Sequence, residues 1–387
     1  MYNWLLPEYI ADILPATARQ VESAKAAMLE LFRTSGYELV MPPLVEYTDA
    51  LASEEDRTLA MKMFKLDDPF SGRQLGLRAD ITPQVARIDA HLLAERAGVT
   101  RLCYAGSVVH SRPIGVTSSR EPLQLGAELY GYAGVEADLE IIELMLATLP
   151  LGGVTCVRLD FGHIGIYRAL AAAANLTTEI SNELFAALQV KDGSTVAELV
   201  IDVIEPYRSA FLALPELYGP ISVLAKARRI LPLLPGIERA ISELDTLVLA
   251  LQEQEGVELG VDLAELRGDL YHTGLMFAVY APHWSSALAR GGRYDNVGRR
   301  FGRSRPATGF SLDLRDLLAV LPERSSLKGI RVAARDRDAA RAKIAALRQD
   351  GHIVIIDYLQ ESAHALNCDR ELRCIQGDWH VLPLNGI

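Results

Sequence analysis

The pattern of hydrophobic positions predicts a helix at the start of the chain and strands soon after it. Residues 18–36 carry one apolar stripe at helical spacing, and Gly36 is a typical stop for such a helix. The stripe consists of Val21, Ala24, Met28, Leu31 and Phe32. Residues 37–41 follow as a strand that Pro42 and Pro43 interrupt.

Between residues 61 and 133 short apolar segments alternate with turn residues, which is typical of strands. The predicted strands are Met63–Leu66, Gln74–Leu77, Arg101–Ala105 and Leu123–Tyr132. They follow one another without a steady alternation of strand and helix, and this favours an antiparallel sheet in an α+β fold.

The remaining pattern is helical first and mixed afterwards. It predicts a helix over 136–149, an almost wholly helical block over 165–258, a strand over 274–280 and a helix over 312–320. After a linker near residue 322, a small α/β unit follows, with strands over 330–334 and 352–358, a helix over 338–349 and a hairpin over 371–382. We therefore expect a large unit with a helical insertion and a small C-terminal unit.

The charge balance argues against a general nucleic-acid binder. The 387 residues include 39 Lys and Arg against 50 Asp and Glu, a net charge of −11, whereas binding to phosphates normally needs a cationic surface. No segment approaches the ~18 consecutive apolar residues of a membrane helix, and the N-terminus lacks the features of a signal peptide. Four scattered cysteines are expected to be reduced thiols, so we expect a cytoplasmic protein.

The common short motifs are missing from the sequence. It contains neither of the usual glycine-rich phosphate loops and no H-E-x-x-H, and the eight histidines lack the spacing of metal ligands. We therefore predict no cofactor and no metal site.

Several longer segments carry polar residues within apolar surroundings, and each has a simple structural explanation. Asp80 or Thr82 could cap the helix that begins near Pro83. Gln124 and Glu128 share one face of a strand with Gly126, and that face could point to solvent. The segment Gly291-Gly-Arg-Tyr-Asp could be a plain turn.

Taken in order, these segments resemble the catalytic domain of histidyl-tRNA synthetase, a class II aminoacyl-tRNA synthetase. The similarity covers roughly residues 6–320 and includes Leu77-Arg-Ala-Asp-Ile-Thr, where the synthetases have Leu-Arg-Pro-Glu-Gly-Thr. It also includes Arg267-Gly and Tyr271-His-Thr-Gly, which resemble the histidine-recognition loop. The resemblance implies a class II synthetase-like α+β domain over residues 1–322, with a helical insertion at about 165–258.

The ATP-binding positions depart from the family. His110 stands where the synthetases have the arginine that grips the α-phosphate of ATP, and Asp316 stands where they have the arginine that binds the γ-phosphate. Asp313 replaces a glycine of the same motif. Carboxylates repel a triphosphate, so we expect no amino-acid activation and no catalytic residues.

The same comparison indicates that this chain retains most of the residues of the family's amino-acid pocket. The resemblance implies that Asp80, Thr82 and Gln124 bind the α-ammonium of histidine, that Glu128 accepts from its imidazole and that Arg267 binds its carboxylate. Asp80 is one methylene shorter than the family's glutamate. Tyr271 and His272 stand at the tyrosine pair of the recognition loop, and His272 departs from the pattern. These residues could also be relics that only support the sheet.

Nearly the whole chain is similar to a second family, the regulatory subunit of short-form ATP phosphoribosyltransferase. Characteristic segments are Arg78-Ala-Asp-Ile-Thr-Pro-Gln-Val-Ala-Arg, Ser119-Arg-Glu-Pro-Leu-Gln and Tyr271-His-Thr-Gly. Residues 328–387 resemble a truncated anticodon-binding domain. The resemblance implies a non-catalytic partner of the short catalytic subunit in a hetero-octamer of four chains of each kind, so that self-association is also expected, with histidine as the feedback inhibitor.

Two other functions stay open at this point. An active histidyl-tRNA synthetase or related ligase is disfavoured by His110 and Asp316. An adaptor that senses tRNA is disfavoured by the acidic balance and the shortened anticodon unit. We therefore expect neither nucleic acid nor membrane among the partners.

Overall fold

The computed structural model describes residues 5–52, 57–113, 119–264, 272–319, 328–362 and 364–384. The chain divides into two compact units, Met1–Leu321 and Pro322–Ile387.

The first unit contains twelve α-helices and twelve strands within the described residues. The helices are α1 Pro15–Thr34, α2 Thr48–Leu51, α3 Arg57–Lys62, α4 Thr82–Arg87, α5 Val135–Thr148, α6 Ile164–Ala173, α7 Thr178–Gln189, α8 Gly193–Leu199, α9 Tyr207–Ala213, α10 Val223–Ile230, α11 Pro235–Leu251 and α12 Leu314–Ala319. The strands are β1 Glu38–Leu39, β2 Val45–Tyr47, β3 Phe64–Asp67, β4 Gln74–Leu77, β5 Thr100–Ser107, β6 Leu123–Tyr130, β7 Val157–His163, β8 Tyr218–Pro220, β9 Val257–Asp262, β10 Leu275–Tyr280, β11 Ala289–Arg293 and β12 Ala307–Asp313.

The first predicted helix illustrates how the sequence pattern becomes structure. Helix α1 buries Val21, Ala24, Met28 and Phe32, which are four of the five predicted stripe residues. Gly36 follows with a φ of +86°, a left-handed conformation that glycine adopts without steric cost. The predicted helix and its stop are confirmed.

Nine strands of the described ranges form the central sheet, in the order β1-β5-β6-β12-β11-β10-β7-β9-β8. Six of the eight neighbouring pairs are antiparallel, and the pairs β1–β5 and β7–β9 are parallel. The predicted α+β fold with a mainly antiparallel sheet is confirmed. Strands β2, β4 and β3 form a separate three-stranded sheet, which the sequence pattern did not distinguish.

The two faces of the central sheet have different environments. The main hydrophobic cluster joins one face to helices α1, α5, α6 and α11. On the other face a second, smaller cluster lies where α4 packs near β5 and β6, with Tyr104, Tyr130 and Tyr294 among its members. The rest of that second face is therefore available for a ligand site.

The block over 165–258 is helical as predicted, with α6 to α11 inside it. It also contains the short strand β8, which pairs with β9 at the edge of the central sheet. The pattern missed β8 because three residues are too few to show a period of two.

In the part of the second unit that the structure describes, a four-stranded sheet packs with one α-helix. Its order is β14-β13-β15-β16, with strands β13 Gly329–Ala333, β14 Val354–Asp357, β15 Cys368–Ile375 and β16 Asp378–Pro383 and helix α13 Arg341–Gln349. A small core forms between α13 and the sheet, and it includes Ile330, Val332, Ile344 and Leu372. The predicted strands, helix and final hairpin are confirmed.

Two further predictions concern the membrane and the cysteines. None of the described helices is both long and apolar enough to cross a bilayer. Cys103, Cys156, Cys368 and Cys374 are free thiols, as predicted. Burial raises the pKa of the Cys103 thiol to about 12, so this cysteine is unreactive at neutral pH.

Candidate functional site

The register of three neighbouring strands brings distant segments together on the second face of the sheet. Glu128 on β6 lies opposite Gly309 on β12, and Gly309 lies opposite Gly292 on β11. Side chains alternate between faces along a strand, so Gln124, four positions before Glu128 on β6, shares this face with it.

A small, half-open cleft lies on this face. Its walls come from the start of α4, from strands β6, β11 and β12, and from the segment before β10. The lining residues are Asp80, Thr82, Glu128, His272, Arg290, Gly291, Gly292, Tyr294, Gly309, Phe310 and Ser311. A concave site where several polar groups converge is a candidate for small-molecule binding.

Glu128 is the most deeply buried acid of the cleft, with 1% of its surface exposed. The Tyr104 hydroxyl donates to its Oε1 at 3.0 Å, and the Tyr294 hydroxyl donates to its Oε2. Burial raises the pKa of Glu128 to about 8, although both hydroxyls act in the opposite direction. A carboxyl group that is protonated near neutral pH and fixed by two tyrosines can exchange its proton when a ligand binds.

Two glycines leave the space that this arrangement requires. A Cβ at Gly309 would overlap the carboxylate of Glu128. A Cβ at Gly126 would lie 2.5 Å from the Tyr104 hydroxyl. Larger residues at either position would displace the Glu128–tyrosine network from the sheet face.

Asp80, Thr82 and Gln124 form a second polar group beside Glu128. The Gln124 side-chain amide donates to Asp80 Oδ1 at 2.7 Å, and the Thr82 backbone N–H donates to the same oxygen at 3.1 Å. Thr82 Oγ1 also lies 3.1 Å from the Tyr104 hydroxyl, which links the two groups. Asp80 thus accepts from a backbone N–H in the first turn of α4, as a capping residue would. It also lines the cleft.

Two of the structural explanations offered for the polar segments, a solvent-facing strand face and a plain turn, are wrong. The face of β6 that carries Glu128 is buried, like the opposite face with Leu125, Ala127 and Leu129. The segment from Gly291 to Arg293 belongs to strand β11 and is not a turn. Strand alternation alone shows which residues share a face, but it does not show what covers that face.

His110 is a neutral, buried histidine at the predicted ATP position. Its Nε2 lies 3.0 Å from the Ala79 carbonyl oxygen, which can only accept, so Nε2 carries the proton. Burial lowers the pKa of His110. This side chain supplies no positive charge for a phosphate.

The second predicted ATP position is acidic and partly buried. Burial and the neighbouring Asp316 raise the pKa of Asp313 to about 6, and burial raises the pKa of Asp316. Asp313 Oδ1 accepts from the backbone N–H groups of Leu123 and Arg315, at 3.1 and 2.9 Å. Arg315 itself lies 3.5 Å from Glu121 in an ion pair. Asp313 is thus held in place by two backbone N–H groups, and the two carboxyl groups disfavour a polyphosphate beside them.

Most of the predicted amino-acid pocket comes together. The cleft is lined by Asp80, Thr82, Glu128 and His272, and Gln124 contacts it through Asp80. Arg267 and Tyr271 lie outside the described residues. Within the described ranges no group of three His, Cys, Asp or Glu side chains is placed to hold a metal ion.

Three residues of the cleft were missed by the sequence analysis. Tyr104 and Tyr294 fix Glu128, and Arg290 adds a cation to the lining. Tyr294 falls in the segment Gly291–Asp295 noted in the sequence, Arg290 directly precedes it, and Tyr104 falls in the predicted strand Arg101–Ala105. Their role depends on the pairing of β6, β12 and β11, which local patterns do not reveal.

Comparison with known proteins identifies the family. The chain is 70% identical to an ATP phosphoribosyltransferase regulatory subunit of Chromobacterium violaceum, over 100% of both chains. It is 62% identical to the protein of the same name from Laribacter hongkongensis, over 97% of this chain and 96% of the relative. The chain belongs to the ATP phosphoribosyltransferase regulatory subunit family. The family prediction is thereby confirmed.

Domain models and solved structures agree with this family. Residues 9–317 match the histidyl-tRNA synthetase model, and residues 327–382 match the ATP phosphoribosyltransferase subunit HisZ C-terminal domain. A Bacillus halodurans structure described as an ATP phosphoribosyltransferase regulatory subunit/histidyl-tRNA synthetase has a TM-score of 0.84 at 26% identity, covering 96% of this chain and 98% of its own. The histidyl-tRNA synthetase of Nostoc sp. PCC 7120, at 16% identity and a TM-score of 0.78 over 96% and 92% of the two chains, shows the shared fold alone.

Proposed function

We propose that this chain is the histidine-sensing regulatory subunit of an ATP phosphoribosyltransferase, the enzyme that opens histidine biosynthesis. The observation that carries the proposal is the 70% identity to a regulatory subunit over the full length of both chains. The chemistry then belongs to a short catalytic subunit, with which this chain forms a hetero-octamer of four chains of each kind. With its four free thiols, the chain would act in the cytoplasm.

Histidine is the proposed effector, and the cleft is its proposed site. Histidine offers an α-ammonium group and an imidazole N–H, both of which need acceptors. Asp80, Thr82 and Gln124 lie together at one side of the cleft and suit the ammonium group. Glu128 lies deeper, between two tyrosine hydroxyls, and suits the imidazole N–H.

Regulation requires histidine to bind one state of the assembly better than another. A ligand with equal affinity for both states shifts no equilibrium, however tightly it binds. Binding at the cleft would alter the network that joins α4 to β5 and β6 through Thr82, Tyr104 and Glu128. Inhibition by histidine would then reflect different arrangements of this network in the active and inhibited complexes.

In this proposal the chain does not activate amino acids. A synthetase stabilises the charge of the triphosphate with arginines, whereas this chain has the neutral His110 and the carboxyl group of Asp316 at those positions. A second carboxyl group, that of Asp313, replaces a glycine of the same motif. Two like charges about 4 Å apart cost about 4 kcal/mol at an effective dielectric constant near 20.

In an ATP–pyrophosphate exchange assay with histidine we therefore expect no turnover above background. A histidyl-tRNA synthetase measured in the same buffer is the positive control. Histidine-dependent exchange that increases in proportion to the concentration of this chain would contradict the proposal and would favour the active ligase.

Gel filtration with the short catalytic subunit tests the assembly directly. We expect the two chains to co-elute at the mass of four copies of each. The matched control replaces the catalytic subunit by a histidyl-tRNA synthetase, which should elute separately. Separate elution of the two subunits at micromolar concentration would rule out the proposed complex.

A further inference from the structure

Arg290 stands on the same sheet face as Glu128, at the other side of the cleft. On β11 it lies opposite Ser311 of β12, and Ser311 lies opposite Gly126 of β6. Cross-strand neighbours share a face, so Arg290, Ser311 and Gly126 form one row of residues across the strands. Gly292, Gly309 and Glu128 form the next row on the same face. The Arg290 side chain lines the cleft.

The guanidinium group of Arg290 has no ionic partner among the described residues, and none of their side chains hydrogen-bonds to it. Other arginines of the same sheet are paired. Three positions along β11, on the opposite face, Arg293 pairs with Asp138 at 2.6 Å. On β7, Arg158 pairs with Asp160 at 2.7 Å. Arg290 is thus a cation at the cleft whose charge no described residue neutralises.

Small residues separate Arg290 from the acidic part of the cleft. Gly126 and Ser311 occupy the two strands between Arg290 and Tyr104. From strand spacings of about 4.8 Å and a rise of about 3.4 Å per residue, the Cα atoms of Arg290 and Glu128 lie about 12 Å apart. A ligand that fills this gap meets acceptors at one end and a guanidinium group at the other.

This arrangement of charges matches a zwitterion with a polar ring. The α-ammonium and ring N–H of an amino acid such as histidine need the acids, and its carboxylate needs a cation. A triphosphate matches poorly, because Asp80 and Glu128 line the same cleft and one exposed arginine cannot neutralise several phosphate charges.

We infer that Arg290 binds the carboxylate of the amino-acid effector and so makes the cleft selective for the intact amino acid over analogues without a carboxylate. The inference rests on the proposed histidine site. The family resemblance gives the carboxylate to Arg267, which lies outside the described residues. A carboxylate has two oxygens and about four acceptor positions, so it can bind two guanidinium groups at once.

The test combines one variant with one change in the ligand. Calorimetry measures the affinity of the full-length chain and of Arg290→Ala for histidine and for histidinol, in which an alcohol replaces the carboxylate. We expect Arg290→Ala to weaken histidine binding about 10-fold, as for the loss of one charge-assisted hydrogen bond at a partly exposed site. The affinity for histidinol should change less than about 2-fold, within the scatter of surface substitutions.

Two further variants separate a specific contact from general electrostatics. Arg299→Ala removes the same charge from an exposed arginine outside the cleft lining, and it should leave both affinities unchanged. Arg290→Lys keeps the charge but not the bidentate geometry, and it should recover part of the lost affinity for histidine.

The calorimetry distinguishes failure of the Arg290 inference from failure of the proposed function. If the unaltered chain binds no histidine, the proposed function fails and this inference falls with it. If the chain binds histidine and Arg290→Ala binds it equally well, only the inference is overturned. Equal losses for histidine and histidinol would also overturn it, because a carboxylate contact predicts a loss for histidine alone. A loss of pyrophosphate binding with unchanged histidine binding would identify the anion as a phosphate and overturn it too.

Discussion

Replacing Glu128 by glutamine is expected to weaken histidine binding about 10- to 100-fold and, at the same time, to stabilise the protein at alkaline pH. Glutamine resembles the protonated glutamic acid in shape and cannot become a carboxylate. The loss of affinity follows because glutamic acid can give up its proton when histidine binds and then accept as a carboxylate, and a hydrogen bond to a charged group contributes about 1.5–3 kcal/mol. Calorimetry with histidine measures the first effect.

The stabilisation follows from the pKa of the buried acid. The pKa of Glu128 is about 8 in the folded chain, against 4.5 for an unperturbed glutamate, so the folded state holds a proton that the unfolded state releases. The contribution of Glu128 to stability is therefore greatest below about pH 4.5 and decreases as the pH rises towards 8. At pH 8.5 we expect Glu128→Gln to be more stable than the original chain by about 2–4 kcal/mol, and at pH 5 we expect a small difference.

Glu140→Gln is the matched control for this result. Arg101 donates to Glu140 from Nε and Nη2, at 2.6 and 2.8 Å, and this contact lowers the pKa of Glu140. Glu140→Gln should therefore reduce stability above about pH 4.5, whereas Glu128→Gln should increase it. If Glu128→Gln destabilises the chain at pH 8.5 as Glu140→Gln does, the view that Glu128 is a buried, protonated acid is wrong.

The second large effect is expected at the buried ion pair between Arg293 and Asp138. Arg293 Nη2 lies 2.6 Å from Asp138 Oδ2, and the guanidinium also donates to the carbonyl oxygens of Tyr132 and Gly134, at 3.2 and 3.0 Å. Arg293→Met leaves Asp138 buried without its cation, so we expect the free energy of unfolding to fall by about 3–5 kcal/mol.

Urea unfolding measures this loss in the first unit. A Trp379→Phe background removes the tryptophan of the second unit, so that fluorescence reports the first. Arg158→Met removes a more exposed ion pair with Asp160 and should cost less than about 1 kcal/mol. The double variant Arg293→Met/Asp138→Leu should recover part of the loss, because it leaves no unpaired charge.

The Arg293 variant also tests how the cleft is supported. Tyr294, which fixes Glu128, is the next residue along the chain, and the Arg293 carbonyl accepts from the Thr273 N–H at 2.7 Å. Loss of the ion pair should therefore reduce histidine affinity as well as stability. Unchanged affinity in a destabilised variant would show that the Glu128–tyrosine network is independent of this anchor.

Much of the local structure could be predicted from the sequence because its causes are local. The apolar stripe of α1 and the stop at Gly36 follow from helical spacing and from the freedom of glycine. The shared face of Gln124 and Glu128 follows from the two-residue period of a strand. The departures at His110 and Asp316 needed only a comparison of motifs.

By itself, the sequence determined many of the helices and strands, the family, and the identity of the acids at the candidate site. Only the tertiary structure decided that Glu128 is buried between Tyr104 and Tyr294 and that Arg290 faces the same cleft. Residues about 160 positions apart meet there because β12 inserts between β6 and β11. Local periodicity carries no information about such long-range pairing, and the raised pKa of Glu128 depends on the burial that this pairing creates.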